Sequence, residues 1–298
     1  MKQIDFSNKH HILLKNEDGT FSPMDEPYFK SKKIAEDTYQ ILSDGDYSYL
    51  IIGVEEAVVI DSGYGAGNIR EYAQSLTDKP IYNILNTHDH FDHTANNSYF
   101  DCAYMSKETH LLATIPFPSF EGIVFPRDYK VKIIEDGFVY PLKGRALEAF
   151  FIPDHAAGSM AFLDKKAGIL FAGDEIGMPM GKRLNGSVEE FLGYMEKLQS
   201  RRAEFDMVCA GFGIMDAEII NKYVRGMKYI LEGHEGKALE IEEKKENHPE
   251  GPNGEIVYTR RDAHFPDMPQ EDPKENPYKR VMDYADCRII YDIRKIKK

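Results

Sequence analysis

Residues 87–93 read Thr87-His88-Asp89-His90-Phe91-Asp92-His93 and contain three of the ten histidines of the chain. They directly follow an apolar run at 81–86 that has the composition of a β-strand. Alternate side chains of an extended segment share a face, so we expect His88 and His90 to converge on one cation. A following turn sends Asp92 and His93 toward a neighbouring position. Because imidazole and carboxylate groups suit zinc and iron, this stretch predicts a metal site.

The residues before this stretch predict a strand–helix–strand unit. Short β-type runs at 38–42, 48–52 and 57–60 are typical of hairpin-connected strands. Asp61 follows the third run, and residues 69–76 then repeat apolar side chains at the spacing of an amphipathic helix. The expected ligands thus lie beyond the carboxyl end of a strand, where open α/β sheets commonly place their sites. Asp61 is a candidate to hold a ligand histidine by a hydrogen bond.

Two later strand ends carry further candidate ligands. The β-type run 147–152 leads into Pro153-Asp154-His155-Ala156-Ala157-Gly158-Ser159. The hairpin at 160–172 leads into Gly173 and Asp174. His155 and Asp174 therefore resemble the residues of the first stretch in following directly after strands.

The pattern H-x-H-x-D-H resembles the signature of the metallo-β-lactamase fold superfamily, whose members are metal-dependent hydrolases with a few oxidoreductase relatives. The turn at 154–159 is similar to the family's third ligand motif in its histidine, glycine and serine, although its flanks differ. Gly173-Asp174 is similar to the motif of the family's bridging aspartate. The resemblance runs from about residue 38 to 232. It implies an α/β fold, an αββα four-layer sandwich.

The resemblance implies two neighbouring metal positions. The first would be held by three histidines: His88, His90 and His155. The second would be held by two residues of the first stretch, with an aspartate bridging the positions: Asp92, His93 and Asp174.

The family's last ligand is a histidine, and at the corresponding place this chain has Phe212, which has no donor atom. The second position is therefore weak, empty, differently filled or completed from elsewhere. One candidate for completing it is His264, as a ligand or as a looser pocket contact. The competing interpretation is that His264 is a solvated loop histidine.

Composition changes beyond Gly233, where the chain becomes polar and rich in proline. Two β-type runs remain there, at 255–259 and 287–292. We therefore predict an α+β or all-β appendage packed on the main domain. The predicted division has three parts: an N-terminal lead-in at 1–35, a catalytic domain at 36–233 and the C-terminal appendage at 234–298.

The overall composition limits the partners. Hydrophobic residues make up 42% and charged residues 29% of the 298 residues, as in ordinary soluble proteins. The formal charge of −13 disfavours nucleic acid, and no apolar run approaches the length needed to cross a membrane. The three cysteines lie far apart and show no C-x-x-C spacing, so a cytoplasmic protein without disulfides is expected.

The segment 115–129 is unusually apolar, with three prolines and four aromatic residues. It is interpreted as a wall of a substrate pocket, as a contact in a homo-oligomer, or as a loop folded on the core. These alternatives stay open at the level of sequence.

The predicted chemistry follows from the metal. A bound divalent cation lowers the pKa of coordinated water from about 15.7 to about 7 and polarises a carbonyl oxygen. We therefore expect hydrolysis of a small carbonyl substrate, namely an ester, thioester, lactone or amide, with zinc in one or both positions and iron or manganese as alternatives. Asp92 is the candidate catalytic residue if a second metal does not hold it tightly, because a carboxylate can orient the attacking water or accept its proton.

Two other functions stay open. One is a mononuclear iron oxidoreductase similar to the family's persulfide-oxidising members, which the incomplete second position favours. The other is a non-catalytic metal-binding protein, which the loss of a donor at Phe212 favours.

Overall fold

The computed structural model describes residues 3–16, 18–116, 120–177, 181–239, 251, 255–260 and 276–298. The strands up to residue 142 are β1 (Ile12–Lys15), β2 (Phe21–Pro23), β3 (Phe29–Ala35), β4 (Thr38–Ser43), β5 (Asp46–Ile52), β6 (Ala57–Ile60), β7 (Ile81–Leu85), β8 (Cys102–Met105), β9 (Lys130–Ile133) and β10 (Val139–Leu142). The later strands are β11 (Arg145–Phe151), β12 (Met160–Asp164), β13 (Ile169–Gly173), β14 (Lys182–Arg183), β15 (Met207–Ala210), β16 (Gly213–Asp216), β17 (Lys237–Ala238), β18 (Ile256–Thr259), β19 (Lys279–Tyr284) and β20 (Cys287–Asp292). The helices are α1 (Ile69–Gln74), α2 (Phe91–Thr94), α3 (Lys107–Leu112), α4 (Val188–Gln199) and α5 (Glu218–Leu231).

The first large sheet has seven strands in the order β3-β4-β5-β6-β7-β8-β9. Its first four strands are antiparallel neighbours, whereas β6 to β9 run parallel. Parallel neighbours need a crossover, and α1 supplies it between β6 and β7. The strand–helix–strand unit predicted from the sequence is therefore confirmed, and β7 delivers residues 86–94 to the carboxyl edge of this sheet.

The second large sheet has six strands in the order β10-β11-β12-β13-β15-β16. Only β13 and β15 are parallel in it, so this sheet is also mixed. The turn that carries His155 follows β11, and Asp174 follows β13. Both predicted downstream ligands thus lie just past strand ends of this second sheet.

The core lies between the large sheets and on their outer faces. Between them, Tyr49, Ile51 and Val58 of the first sheet join Phe162 and Phe171 of the second in one buried cluster. On the outer face of the second sheet, α4 and α5 bury their apolar stripes. On the outer face of the first sheet, α1 packs with N-terminal residues and part of the segment 115–129. The architecture is an α/β fold with several mixed sheets.

The strands after residue 233 pair with strands from earlier parts of the chain. β17, β19 and β20 form a four-stranded sheet with β14, in the order β14-β20-β19-β17. β18 runs parallel to β1 and extends the small sheet β18-β1-β2. Both strands predicted in this region are present, while the division into domains stays a prediction. Within the described residues, no helix is long and apolar enough to cross a bilayer.

The sequence predicts that residues 29–35 belong to the N-terminal lead-in. In the structure they form the edge strand β3 of the first large sheet. Its exposed lysines are Lys30, Lys32 and Lys33. Charged side chains are common on edge strands, because they discourage pairing with other chains. Such a strand lacks the apolar alternation by which internal strands are found.

Arg145 connects the two large sheets through a buried ion pair. Its side chain is 4% exposed, and its Nη2 lies 2.5 Å from Oδ2 of Asp164, which is fully buried. The same guanidinium donates to the hydroxyl of Thr38 and to the backbone oxygen of Asp37 in the first sheet. One buried cation therefore joins strands of both layers.

We predict that Arg145→Met lowers the free energy of unfolding by about 3–5 kcal/mol, because Asp164 would be left as a buried charge without its partner. Denaturant unfolding followed by circular dichroism measures the loss. The control is Arg288→Met, which removes a partner of Asp283 from a pair in which both side chains are more than half exposed. Exposed pairs contribute little, so the control should unfold almost like the wild type. Equal losses in the two variants would contradict this role of Arg145.

Candidate metal centre

A side-chain hydrogen bond and the packing of aromatic rings hold the loop after β7 in place. The side-chain Nδ2 of Asn86 donates to the carbonyl oxygen of His93 at 2.9 Å. The short helix α2 begins at Phe91, whose buried ring packs on Phe120 and Phe125 with centroids 4.7 Å apart in each pair. Because Phe91 anchors the outer side of α2, the residues that follow it face the site.

Three histidines form the first group. The ligand atoms of His88, His90 and His155 all lie within 4.8 Å of one another. His90 Nδ1 and His155 Nε2 are 3.0 Å apart, close to the separation of roughly 3.3 Å that two nitrogens have around one tetrahedral zinc. The structure therefore brings together the three histidines that the resemblance named for the first position.

The orientation of His88 follows from its hydrogen bonds. The hydroxyl of Thr87 donates to Asp61 Oδ2 at 2.7 Å, so it can only accept from His88 Nδ1, which is 3.0 Å away. His88 Nε2 then carries the lone pair. This nitrogen is buried and has no hydrogen-bond partner among the described residues. A buried acceptor left in this way fits a metal ligand.

A second group joins the two sheets. The ligand atoms of His88, His93 and Asp174 also lie within 4.8 Å of one another. His93 Nε2 is 3.4 Å from Asp174 Oδ1, and His155 Nε2 is 3.8 Å from Asp174 Oδ2. Asp174 thus reaches toward both positions with separate oxygens, as a bridging residue would.

Asp61 holds His93 in place. Its Oδ2 accepts from His93 Nδ1 at 2.9 Å, and its Oδ1 accepts from the backbone N–H of Thr87 at 2.8 Å. Because Nδ1 of His93 donates to Asp61, its Nε2 faces Asp174. A carboxylate that orients an imidazole in this way also raises the basicity of the ligand.

A third group contains a residue that the sequence did not single out. The ligand atoms of Asp46, Asp92 and His93 lie within 4.8 Å of one another, and all three residues are buried. Asp46 is the first residue of β5 and follows the turn Asp44-Gly45, which the sequence presented as an ordinary hairpin connection. No local signal separates it from other turn aspartates, because its neighbours in the group are more than forty residues away in the chain.

The turn between β15 and β16 packs directly on Asp174 and His93. A Cβ at Gly211 would lie 2.0 Å from Asp174 Oδ1 and 3.0 Å from His93 Cε1, so only glycine fits there. The next residue, Phe212, is half-buried. Phe212 therefore directly follows Gly211, which lies against the second position. This location agrees with the sequence comparison, in which Phe212 stands where the family has its last histidine ligand.

Burial and charge set the protonation of the cluster. Burial, reinforced by the neighbouring histidines, holds the pKa of His88 well below its ordinary value. Burial lowers the pKa of His155 to about 3 against the opposing charge of Asp174. Burial would raise the pKa of Asp174, but the charge of His93, its hydrogen bond to Asp174 and the nearby His155 and His90 together lower that pKa to about 2. At neutral pH the cluster thus offers two neutral imidazoles and an ionised carboxylate, which is the state that binds a cation.

His93 behaves differently before a metal binds. Burial opposes its protonation, but the charges of Asp174, Asp61 and Asp92 together raise its pKa well above the ordinary value. A cation binding at His93 Nε2 would displace a proton from it. The donor set as a whole, imidazole with carboxylate, fits zinc or another divalent transition metal.

A buried charged network supports the turn that carries His155. Lys182 is 1% exposed, and its Nζ lies 2.5 Å from Glu175 Oε1 and 2.9 Å from Asp154 Oδ2. Glu175 Oε2 accepts from the backbone N–H of His155 at 2.9 Å. Since Glu175 follows Asp174, this network ties together the turns of two candidate ligands. The sequence alone does not single out Lys182 or Glu175.

The remaining candidates have mixed outcomes. His264 lies outside the described residues, so its predicted role stays a prediction. In the segment 115–129, the buried rings of Phe120 and Phe125 pack on the core, whereas Val124 is 80% exposed.

Two mixed sheets bring histidines and aspartates together at their adjoining strand ends, an arrangement typical of metal-binding enzymes. The model of the metallo-beta-lactamase superfamily matches residues 44–204, more than half of the chain, and the chain belongs to this superfamily. It is a hydrolase of metallo-β-lactamase type. The resemblance inferred from the sequence is therefore confirmed.

Individual relatives are distant. The chain is 28% identical over 211 residues to acyl-coenzyme A thioesterase MBLAC2 of Homo sapiens, covering 60% of this chain and 71% of that protein. It is 31% identical over 135 residues to lactamase-like protein aptB of Emericella nidulans, covering 44% of this chain and 40% of that protein. The solved metallo-beta-lactamase from Pontibacter korlensis matches with a TM-score of 0.53 and 18% identity, covering 67% of this chain and 99% of that one. This last likeness shows the fold alone.

We predict that His90→Ala and His155→Ala each lower the affinity for the first metal ion by more than about a hundredfold, since residues that merely orient ligands already contribute about 10–100-fold. Elemental analysis of the purified variants measures the ion that is retained. The control is His110→Ala, a histidine of α3 that belongs to none of the three groups. Wild-type metal content in either ligand variant would show that the first position lies elsewhere.

For the charged network, we predict that Lys182→Met lowers the free energy of unfolding by about 3–5 kcal/mol, because two buried carboxylates lose their cation. The double variant Lys182→Met with Glu175→Gln should recover part of this loss, since one of those charges is gone. Denaturant unfolding of both variants measures the recovery. A double variant less stable than Lys182→Met would contradict this account of the network.

Proposed function

We propose that this protein is a metal-dependent thioesterase that hydrolyses thioesters of apolar acyl groups. The observation that carries the proposal is the group of His88, His90 and His155 beside Asp174, a site with three nitrogen donors and an adjacent carboxylate. The similarity to a thioesterase over 60% of the chain supports the choice of a thioester over other carbonyl substrates.

The chemistry divides between the metal and the chain. When bound, a divalent cation such as zinc supplies a Lewis acid and lowers the pKa of water to about 7. His88 and His155 are neutral and present lone pairs to hold it, while Asp61 keeps His93 facing inward. Asp92 is buried beside His93, with Oδ2 at 3.8 Å from His93 Nε2. In the proposed reaction, the carboxylate of Asp92 orients the attacking water and accepts its proton where no second ion holds it tightly.

The charge and surface of the protein support an apolar acyl group. With a net charge of −13, the chain is poorly suited to strongly anionic substrates. Exposed apolar side chains occur at the end of α3, where Leu111 is 67% and Leu112 is 51% exposed. This segment adjoins the metal loop, because the backbone N–H of Thr114 donates to Thr94 Oγ1 at 2.8 Å. An apolar surface next to the metal-binding loop suits an acyl chain.

The test is release of free thiol from acyl thioesters of increasing chain length by the zinc-loaded protein. We expect turnover in the wild type, and a kcat/KM that rises with acyl length, because each added methylene buries more apolar surface. His155→Ala should lose activity by more than about a hundredfold, with His110→Ala as the control. Elemental analysis of protein purified without added metal would identify zinc, iron or manganese.

Two forms of the substrate separate the contributions of acyl group and thiol. Coenzyme A thioesters and N-acetylcysteamine thioesters share the acyl group and differ in the phosphates of the thiol carrier. Similar kcat/KM values for both would show that recognition rests on the acyl group. If esters or lactones are hydrolysed but no thioester is, the thioesterase proposal is wrong although the protein remains a hydrolase.

A further inference from the structure

We infer that Asp46 is a metal ligand and completes the second position in place of the histidine that Phe212 replaces. This inference rests on the proposed metal-dependent function, and it concerns the chain's own residues at the second position. It would make the centre one that holds two ions, with unlike sets of donors at the two positions.

The first support is the geometry of the group. Ligand atoms of Asp46, Asp92 and His93 lie within 4.8 Å of one another, the same limit that the three histidines of the first position meet. Asp46 is only 2% exposed, so it is not a surface carboxylate that happens to lie near the site. Asp92 and His93 are the two residues that the family resemblance names for the second position. Asp46 therefore lies beside Asp92 and His93, the two ligands of the position whose second histidine is replaced by Phe212.

The second support is the position of Asp46 beside the turn between β15 and β16. The backbone N–H of Tyr47 donates to the carbonyl oxygen of Gly211 at 3.3 Å, and the hydroxyl of Tyr49 donates to that of Ala210 at 2.6 Å. The start of β5 thus lies along the turn that carries Phe212. Because Gly211 itself touches Asp174 and His93, Asp46 approaches the second position from the side of the missing histidine.

The third support is charge. Asp46, Asp92 and Asp174 are all buried, each less than 7% exposed, and each shares a group of possible ligands with His93. Burying several carboxylates together is costly unless a cation neutralises them. A divalent cation bound at the second position would neutralise part of this buried negative charge.

The donor set has a consequence for the choice of metal. The first position offers three imidazoles, which suit zinc, whereas the group of Asp46, Asp92 and His93 at the second offers two carboxylates with one imidazole. Carboxylate oxygens suit harder cations such as manganese better than imidazole does. The second position should therefore favour manganese relative to zinc more than the first position does.

The experiment is a titration of the full chain, stripped of metal with a chelator, with zinc alone and in parallel with manganese alone. Competition with a chromophoric chelator reports the number of ions and their affinities. We expect two ions in the wild type. In Asp46→Ala and Asp46→Asn the second ion should bind about tenfold more weakly or worse, while the first ion is unchanged. Circular dichroism checks that each variant is folded.

A matched control separates ligation from charge. Asp89→Asn removes one carboxylate from the same metal loop, 9% exposed and outside all three groups. It should leave both affinities as in the wild type. If Asp89→Asn weakens the second ion as much as Asp46→Asn does, the effect is one of general electrostatics and Asp46 is not a ligand.

A rescue variant tests whether a nitrogen donor at position 212 can replace Asp46. Phe212→His placed in the Asp46→Ala background should restore binding of the second ion, because it returns a nitrogen donor to the same side of the site. An unchanged second ion in Asp46→Ala would overturn the inference while leaving the proposed function standing. A wild type that binds no ion at either position would overturn both.

Discussion

The hydrogen bonds of Asp61 link the end of β6 to the metal loop and orient the ligands. Asp61 takes up a left-handed conformation, with φ of 58°, which brings both of its oxygens toward residues beyond β7. It accepts from Thr87 and His93, and Thr87 in turn accepts from His88. The lone-pair nitrogens of two histidines are thereby set by one buried carboxylate. Without the hydrogen bonds of Asp61, nothing in this loop would fix the ring orientations that direct Nε2 of His88 and His93 toward the metal centre.

The two sheets must also be held at a constant distance, because each supplies ligands to the same centre. The backbone N–H of Met160 donates to the carbonyl oxygen of Thr87 at 2.7 Å and joins the His155 turn to the metal loop. Gly173 has φ of 52°, and a Cβ there would lie 2.3 Å from Thr87 Oγ1, so glycine allows Asp174 to approach. A hydrolase that shares one ion between two sheets depends on such close backbone contacts.

The C-terminal strands contact both sides of this centre. Lys182, which neutralises Glu175 and Asp154, lies in β14 and pairs in register with Ile289 of β20. On the other side, Arg260 follows β18 and forms an ion pair with Asp44, two residues before Asp46. Residues far along the chain thus support the turns on which ligands sit. If Asp46 completes the second position, the feature that favoured a mononuclear iron oxidoreductase is removed, and a hydrolase with two ions becomes the simpler reading.

The sequence by itself determined the features that are local. The spacing of His88, His90, Asp92 and His93 lies within one turn and one strand end, and the strand–helix–strand unit before it follows from short-range periodicity. His155 and Asp174 could be recognised because each follows directly after an apolar run. These patterns depend on near neighbours in the chain and on a motif that the family shares.

Only the tertiary structure decided which ordinary residues join the site. Asp46 reads as a turn aspartate, and Lys182 and Glu175 read as charges in a polar segment, because their partners are distant in sequence. The edge strand β3 was missed for a related reason, since an edge strand with charged side chains lacks apolar alternation. Burial is what changes the chemistry of these residues, and burial arises only when the two large sheets and the C-terminal strands pack together.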